Sequence, residues 1–88
     1  MRIADLLSHG QGNAVPLSHI KSMTGMKGRN IRRMIAAERL SGVPILSDCS
    51  TGYYLAENAG EKERFVRSMR HRAGEIMKSA QAIEQAER

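Results

Sequence analysis

Basic and amide side chains are concentrated between residues 20 and 40. Six Lys and Arg residues stand there against one Glu, so this stretch carries a formal charge of +5. A guanidinium fork fits the acceptor edge of guanine or two phosphate oxygens, and a carboxamide fits the edge of adenine. The side chains of this stretch that could make such contacts with double-stranded DNA are Lys21, Lys27, Arg29, Asn30, Arg32 and Arg33.

Most of these residues fall on a helix predicted over residues 28–40. At about 100° per residue, its apolar side carries Ile31, Met34 and Ile35. The opposite side carries Arg29, Arg33 and Ala36, with Arg32 flanking. The acidic residue, Glu38, falls near the apolar side, and the small Ala36 and Ala37 would let the outer face approach a partner closely. Basic side chains near the start of a helix, with little bulk further along, suit a helix that enters the major groove.

A second basic segment lies between residues 62 and 72, where five Lys and Arg residues stand against one Glu. Charge runs of this kind are most often solvated helix faces, and that is our interpretation of most of this segment. Arg67 and Arg70, three residues apart, are the pair best placed to reach a phosphate.

The segments before the basic helix predict a helix–turn–helix. Ile3, Leu6 and Leu7 predict a short first helix, which ends at a glycine-rich loop over residues 10–13. Pro16 suits the first turn of the next helix, which Thr24-Gly25 ends. The apolar face of that helix carries Leu17, Ile20 and Met23.

Residues 43–56 predict two short strands around a Gly-containing turn. One face of this hairpin must pack on the helices, because isolated two-stranded hairpins are marginal in water. We expect Leu55, one Tyr, and at least one of Ile45 and Leu46 in the core.

From Asn58 onward the sequence predicts one helix of about 30 residues and about 45 Å, with Asn58 and Glu61 as a capping box. A heptad seam runs along it and consists of Val66, Met69, Ala73, Ile76, Ala80 and Ile83. A helix this long extends beyond the core of one small domain. We expect its far half to pair with a second copy of the chain in a coiled-coil homodimer, or alternatively to fold back across the first helix.

Residues 3–56 resemble the winged helix-turn-helix domains of bacterial and phage transcription regulators, particularly the biotin-repressor type. Three segments carry the resemblance, in the family's order and spacing: Ile31-Arg32-Arg33-Met34-Ile35, Ser41-Gly42-Val43-Pro44-Ile45 and Gly52-Tyr53-Tyr54-Leu55. The resemblance implies a mainly α fold with a small β-hairpin. Residues 1–57 would form the winged helix-turn-helix domain, and residues 58–88 the long, dimerising C-terminal helix.

The resemblance also implies DNA binding, with Arg29, Asn30, Arg32 and Arg33 in the major groove. The hairpin, or wing, would lie along the backbone, which adds Thr51 and Tyr53 as candidate contacts. The wing tip departs from the family pattern, because residues 48–51 contain an Asp and neither Lys nor Arg. The size and long terminal helix are similar to those of small regulators from prophages and mobile elements. The chain has no length for the catalytic domain of the family's enzymatic members, so no enzyme activity is expected.

Metal, cofactor and nucleophile chemistry is not expected. His9, His19 and His71 lack the Cys partner or paired-His spacing of a metal site, and Cys49 has no neighbouring base to activate it. The methionines Met23, Met26, Met34, Met69 and Met77 are interpreted as core fillers. With one Cys, no secretory leader and no apolar run of about 18 residues, the expected location is the cytoplasm, away from membranes.

Two functions fit these patterns. The first is a dimeric, sequence-specific DNA-binding protein that regulates transcription in a phage or mobile element. The alternative is a winged helix used as a protein-interaction module, which binds and inhibits or recruits a host or phage protein. The wing tip without basic residues and the long terminal helix are compatible with the alternative.

Overall fold

Three α-helices and one antiparallel hairpin make up the fold, which confirms the predicted mainly α class with a small hairpin. The structure is a computed structural model and describes residues 1–87. The helices are α1 (Leu17–Thr24), α2 (Gly28–Leu40) and α3 (Ala59–Gln85), and the strands are β1 (Ile45–Asp48) and β2 (Gly52–Leu55). Helix, turn, helix and hairpin follow one another as in a winged helix-turn-helix, and α3 continues from the end of the hairpin.

The predicted short first helix is a four-residue 3₁₀ helix, Ile3–Leu6, which forms a single turn. The chain leaves this turn in an extended conformation at Leu7. It does so because the next residues pair with β2, where the N–H of Leu55 donates to the carbonyl of Ser8 at 2.9 Å. A second 3₁₀ turn, Gln11–Asn13, occupies the glycine-rich loop.

The side chain of Glu38 joins this first turn to α2. Glu38 is 8% exposed, and its two carboxylate oxygens accept the backbone N–H groups of Ile3 at 2.7 Å and Ala4 at 2.9 Å. A buried carboxylate is tolerated when such charge-assisted hydrogen bonds replace its lost hydration. The N-terminal turn is therefore held against the last turn of α2.

The core lies between α1, α2, the N-terminal turn and one face of the hairpin. Ile31 and Ile35 of α2 are buried against Ile20 of α1, as the helical spacing predicts. Met23 departs from the prediction and is 46% exposed. Residues three apart on a helix differ in direction by about 60°. Met23 therefore points away from the core, which Ile20 faces. The interpretation of the methionines as core fillers is confirmed for Met26 and Met34 and wrong for Met23, Met69 and Met77.

Both faces of the hairpin are covered. Ile45 lies opposite Leu55, and Leu46 lies opposite Tyr54. Ile45 and Leu55 pack toward the helices, while Leu46 and Tyr54, 2% and 5% exposed, lie on the other face, and α3 packs against β1. The predicted core contribution of the hairpin is therefore confirmed and exceeded, since both Ile45 and Leu46 are buried.

β2 has a second hydrogen-bonded neighbour besides β1. The backbone groups of Tyr53 and Val15 exchange hydrogen bonds of 2.8 and 2.9 Å, so the segment before α1 acts as a third, one-residue strand. Gly52 makes this approach possible. Its φ is +115°, and a Cβ there would overlap the carbonyl oxygen of Val15, so a side chain is excluded on two grounds.

α3 begins with the predicted cap at Asn58, whose side-chain oxygen accepts the N–H of Glu61 at 2.8 Å. A capping box also requires the Glu61 carboxylate to accept the backbone N–H of Asn58. Instead, this carboxylate accepts the N–H groups of Glu57 at 2.9 Å and Gln11 at 3.3 Å. The helix spans 27 residues and ends at Gln85. Arg88, the last residue of the predicted helix, lies outside the described residues. Over residues 1–87, no helix is long and apolar enough to cross a membrane.

We predict that Glu38→Gln lowers the free energy of unfolding by about 1–3 kcal/mol. The amide keeps one acceptor oxygen, but its NH₂ group faces a backbone N–H that has lost its partner. Urea unfolding followed by circular dichroism measures the change, with Glu84→Gln on the exposed part of α3 as the matched control. Equal stability of the two variants would contradict the role assigned to Glu38.

Candidate nucleic-acid interface

The outer face of α2 carries exposed cations without carboxylate partners. Arg29, Asn30, Arg32 and Arg33 are all exposed, as the helical spacing predicts. The ion pairs found among residues 1–87 are Arg2–Asp5 and Lys78–Glu75, both outside α2. The guanidinium groups on this face are therefore free to meet phosphates or base edges.

Lys21 and Arg32 both lie close to the start of α2. A Cβ on Gly28 would lie 3.8 Å from Nη1 of Arg32 and 4.0 Å from Cδ of Lys21, so both side chains flank this residue. Lys27 is the N-cap residue, no side chain caps the helix, and its first turn contains no acidic residue. Because the first N–H groups of a helix lack intrahelical acceptors, this end adds positive potential to that of the side chains.

Arg39 contributes to the fold, although it counts toward the charge of the basic stretch. Its Nε donates to the carbonyl of Ile45 at 2.7 Å, its Nη2 donates to Oγ of Ser47 at 3.4 Å, and its guanidinium carbon lies 5.3 Å from the centre of the Phe65 ring. Arg39 thus connects α2, β1 and α3, partly through a cation–π contact. Burial lowers the pKa of Arg39, with opposing effects from Tyr53, which raises it, and Arg72, which lowers it.

The wing tip is organised around Asp48. Its carboxylate accepts the hydroxyl of Ser50 at 2.6 Å, the N–H of Ser50 at 2.8 Å and the side-chain amide of Gln11 at 2.6 Å. Thr51, a candidate DNA contact, is exposed at this tip, and its N–H donates to the carbonyl of Asp48 at 3.3 Å. The acidic residue that departs from the family pattern is therefore engaged in shaping the turn.

A groove of about 600 Å³ lies between the hairpin and α3, and α1 and α2 each contribute one residue to its lining. Tyr53, another candidate DNA contact, is half-buried on the core and also lines this groove. The other lining residues are Leu17, Arg32, Ser47, Asp48, Cys49, Gly52, Phe65, Ser68 and Arg72. Arg72, Phe65 and Ser68 were not among the residues predicted to bind DNA. Their spacing of three and four on α3 marks them as one face, but the sequence gives no indication of what that face meets.

Arg67 and Arg70, the pair expected to reach a phosphate, lie on the other side of α3 from the groove. They line a shallow depression of about 350 Å³ with Val66, Lys62 and Glu63. The structure therefore divides the second basic segment, with Arg72 facing α2 and the hairpin and the other two guanidinium groups facing away.

The heptad seam of α3 is exposed along its length. The exposed fraction rises from 36% at Val66 and 39% at Met69 to 69% at Ile76 and 75% at Ile83. Ala73 and Ala80 are exposed as well, and Met77 beside the seam is 61% exposed. The far half of α3 does not fold back across the N-terminal segment, so that alternative is wrong.

Metal ligands are not clustered in the part of the chain that the structure describes: residues 1–87 contain no group of three or more His, Cys, Asp or Glu side chains able to hold an ion. His9 and His19 are exposed, and Nδ1 of His9 lies 2.9 Å from the carbonyl oxygen of Ala56. Cys49 is exposed beside the wing tip.

We predict that Ser50→Ala raises the pKa of Asp48 toward its ordinary value, because the Ser50 hydroxyl is the main cause of its lowered pKa, followed by the Ser50 N–H. A carboxyl with a lowered folded pKa stabilises the folded state above its unfolded pKa, and this contribution is lost as the pH falls through the folded pKa. The titration of the Asp48 side-chain ¹³C resonance measures the pKa. The control is Ser22→Ala, because Ser22 is exposed on α1. If Asp48 titrates at its ordinary pKa in the wild-type protein, the hydrogen-bonded turn is refuted.

Comparison of the chain with protein-family models, with curated proteins and with solved structures found no match. The resemblance of residues 3–56 to winged helix-turn-helix regulators therefore stays a prediction from the sequence. Any function assigned to the chain depends on the side chains that α2, the hairpin and α3 present.

Proposed function

We propose that the protein binds double-stranded DNA sequence-specifically through α2, as a dimeric transcription regulator of a phage or mobile element. The observation that carries the proposal is the outer face of α2. It combines exposed Arg and Asn side chains with small alanines, has no acidic side chain, and belongs to the second helix of a helix–turn–helix. Helices of this kind enter the major groove and present their first turns to base edges.

Within this proposal the side chains divide into two roles. Arg29 and Arg33 lie one turn apart in the middle of the outer face, and we assign them to base contacts, with Asn30 beside them. Lys21 and Lys27, near the junction of α1 and α2, would contact phosphates, which position the helix without specifying sequence.

The hairpin has a smaller part in the proposal. Thr51 is exposed and could donate its hydroxyl to a phosphate, whereas Tyr53 is half-buried and reaches a ligand only through the groove. Because the tip carries the negative charge of Asp48 and contains no cation, we expect the wing to add little affinity.

Dimerisation is the second element of the proposal, and the exposed seam of α3 supports it. Ile76 and Ile83 are more than two-thirds exposed in the single chain, which is unfavourable for large aliphatic side chains grouped on one face. Heptad spacing with small and large residues at alternate positions suits pairing with a second helix of the same kind. Two copies of α2 would then read two related half-sites.

The alternative, a protein-interaction module, is favoured by the same seam together with the wing tip that contains no Lys or Arg. A protein partner would bind specifically at salt concentrations that abolish non-specific DNA binding. The two experiments below separate these functions.

We predict that Arg29→Ala/Arg33→Ala loses about 1–3 kcal/mol of DNA-binding free energy for each side chain. Fluorescence anisotropy would compare a duplex enriched from a random library by the wild-type protein with a scrambled duplex of the same composition. The control is Arg2→Ala/Lys78→Ala, which removes two positive charges that lie in ion pairs outside α2.

A selective loss for the enriched duplex would support base reading by α2. Equal affinity of the double variant and its control would contradict it. If the wild-type protein enriches no duplex, sequence-specific DNA binding is refuted and the protein-interaction module is favoured.

We also predict that the wild-type protein sediments as a dimer of the 9.8 kDa chain and that Ile76→Asp/Ile83→Asp sediments as a monomer. Charges placed in the seam would be desolvated on pairing, which opposes association. Gln81→Asp/Gln85→Asp adds the same charge on the side of α3 away from the seam and should stay dimeric. A monomeric wild type, or a monomeric control, would argue against pairing through this seam.

A further inference from the structure

Arginine side chains of α2 and α3 meet at the groove that the hairpin and α3 form. At one end, Arg39 of α2 stacks on Phe65 of α3. At the other end, Arg32 and Arg72 line the same groove. Arg32 lies seven residues before Arg39 on α2, whereas Arg72 lies seven residues after Phe65 on α3. Residues seven apart lie on the same side of a helix, so the flank of α2 that carries Arg32 and Arg39 is the one directed toward α3.

Positive charge accumulates between these two helices. Arg32 and Arg72 are exposed, and within residues 1–87 neither forms an ion pair. The like charge of Arg72 adds to the effect of burial in lowering the pKa of Arg39. Asp48 also lines the groove, but its carboxylate accepts hydrogen bonds from Ser50 and Gln11. The open side of the groove thus offers two guanidinium groups to an anion.

The position of the groove relative to α2 indicates which anion fits. An α-helix with its side chains is about 10–12 Å wide, and the major groove of B-DNA is about 12 Å wide. A helix that enters the groove with Arg29 and Arg33 foremost therefore has a sugar-phosphate strand along each flank. Arg32 lies on one of these flanks, and α3 borders the groove on that side.

We propose that a phosphodiester of the DNA backbone is held between α2 and α3 by Arg32 and Arg72, so that α3 is a second DNA-contacting element. This inference rests on the proposed function. The contact is sequence-independent, because a phosphate carries no base information. In this proposal Arg72 contacts a phosphate. Arg67 and Arg70 face away from the groove and do not take part in this contact.

The test compares Arg72→Ala with Arg70→Ala, which removes the same group two residues earlier on the other side of α3. Affinities for the enriched and the scrambled duplex are measured by anisotropy at several salt concentrations. We expect Arg72→Ala to weaken both duplexes by a similar factor and to reduce the slope of log affinity against log salt by about 1, with Arg70→Ala close to wild type. Arg72→Lys, which keeps the charge, should restore the slope.

A second measurement locates the phosphate. Neutral methylphosphonates replace single phosphodiesters of the enriched duplex, one position at a time. At the position held in the groove, wild type and Arg72→Ala should bind equally, and Arg32→Ala should lose its own effect at the same position. Circular dichroism melting confirms that the variants are folded.

The outcomes separate the two proposals. If Arg29→Ala/Arg33→Ala loses binding while Arg72→Ala and Arg70→Ala behave alike, the groove contact is overturned and DNA reading by α2 stands. If no methylphosphonate position equalises wild type and Arg72→Ala, the guanidinium acts through general charge, and the groove contact is again overturned. If the wild-type protein binds no duplex, both proposals fall together.

Discussion

The carboxylate of Glu38 is buried in the core, and the backbone N–H groups of Ile3 and Ala4 compensate its charge. Removing a carboxylate from water is costly, so this arrangement holds only while the N-terminal turn stays docked against α2. Docking places Ile3 among the buried side chains that include Ile31 and Ile35. The inner side of α2 is thereby buried at Ile31, Ile35 and Glu38, and its other side is left to solvent. The basic face of α2 points to solvent because the opposite face is packed against the N-terminal turn and the core.

α2 uses its charged residues differently at its two ends. In the last turn, Glu38 and Arg39 stabilise the fold, through the N-terminal turn in one case and through β1 and Phe65 in the other. In the first turns, Arg29, Arg32 and Arg33 make no ion pair among residues 1–87. The charge of +5 in the basic stretch is therefore carried on the surface by its five other cations, since Glu38 and Arg39 belong to the interior and its border.

The sequence predicts the elements whose pattern is local. The bounds of α2 follow from a strong helical period, and the hairpin follows from the change of period after Pro44. The role of Glu38 could not be predicted, because it depends on the N–H groups of Ile3 and Ala4, more than thirty residues away. The 3₁₀ turn at the N-terminus likewise depends on pairing with β2, and Glu61 accepts Gln11 where a purely local capping box was expected. Of the candidate site, the outer face of α2 was predictable, whereas the position of Arg72 depends on how α3 crosses the domain.

α3 is a continuous helix without Pro, and none of its residues from 59 to 85 is buried. Such a helix fixes the distance and the rotation between the elements at its two ends. Each residue advances the helix by about 1.5 Å and rotates it by about 100°. The number of residues between Arg72 and the far seam therefore sets both the separation and the rotational phase of whatever the seam joins. A single alanine inserted there would leave the charge unchanged and the helix propensity high, yet turn the two joined parts by more than a quarter of a revolution.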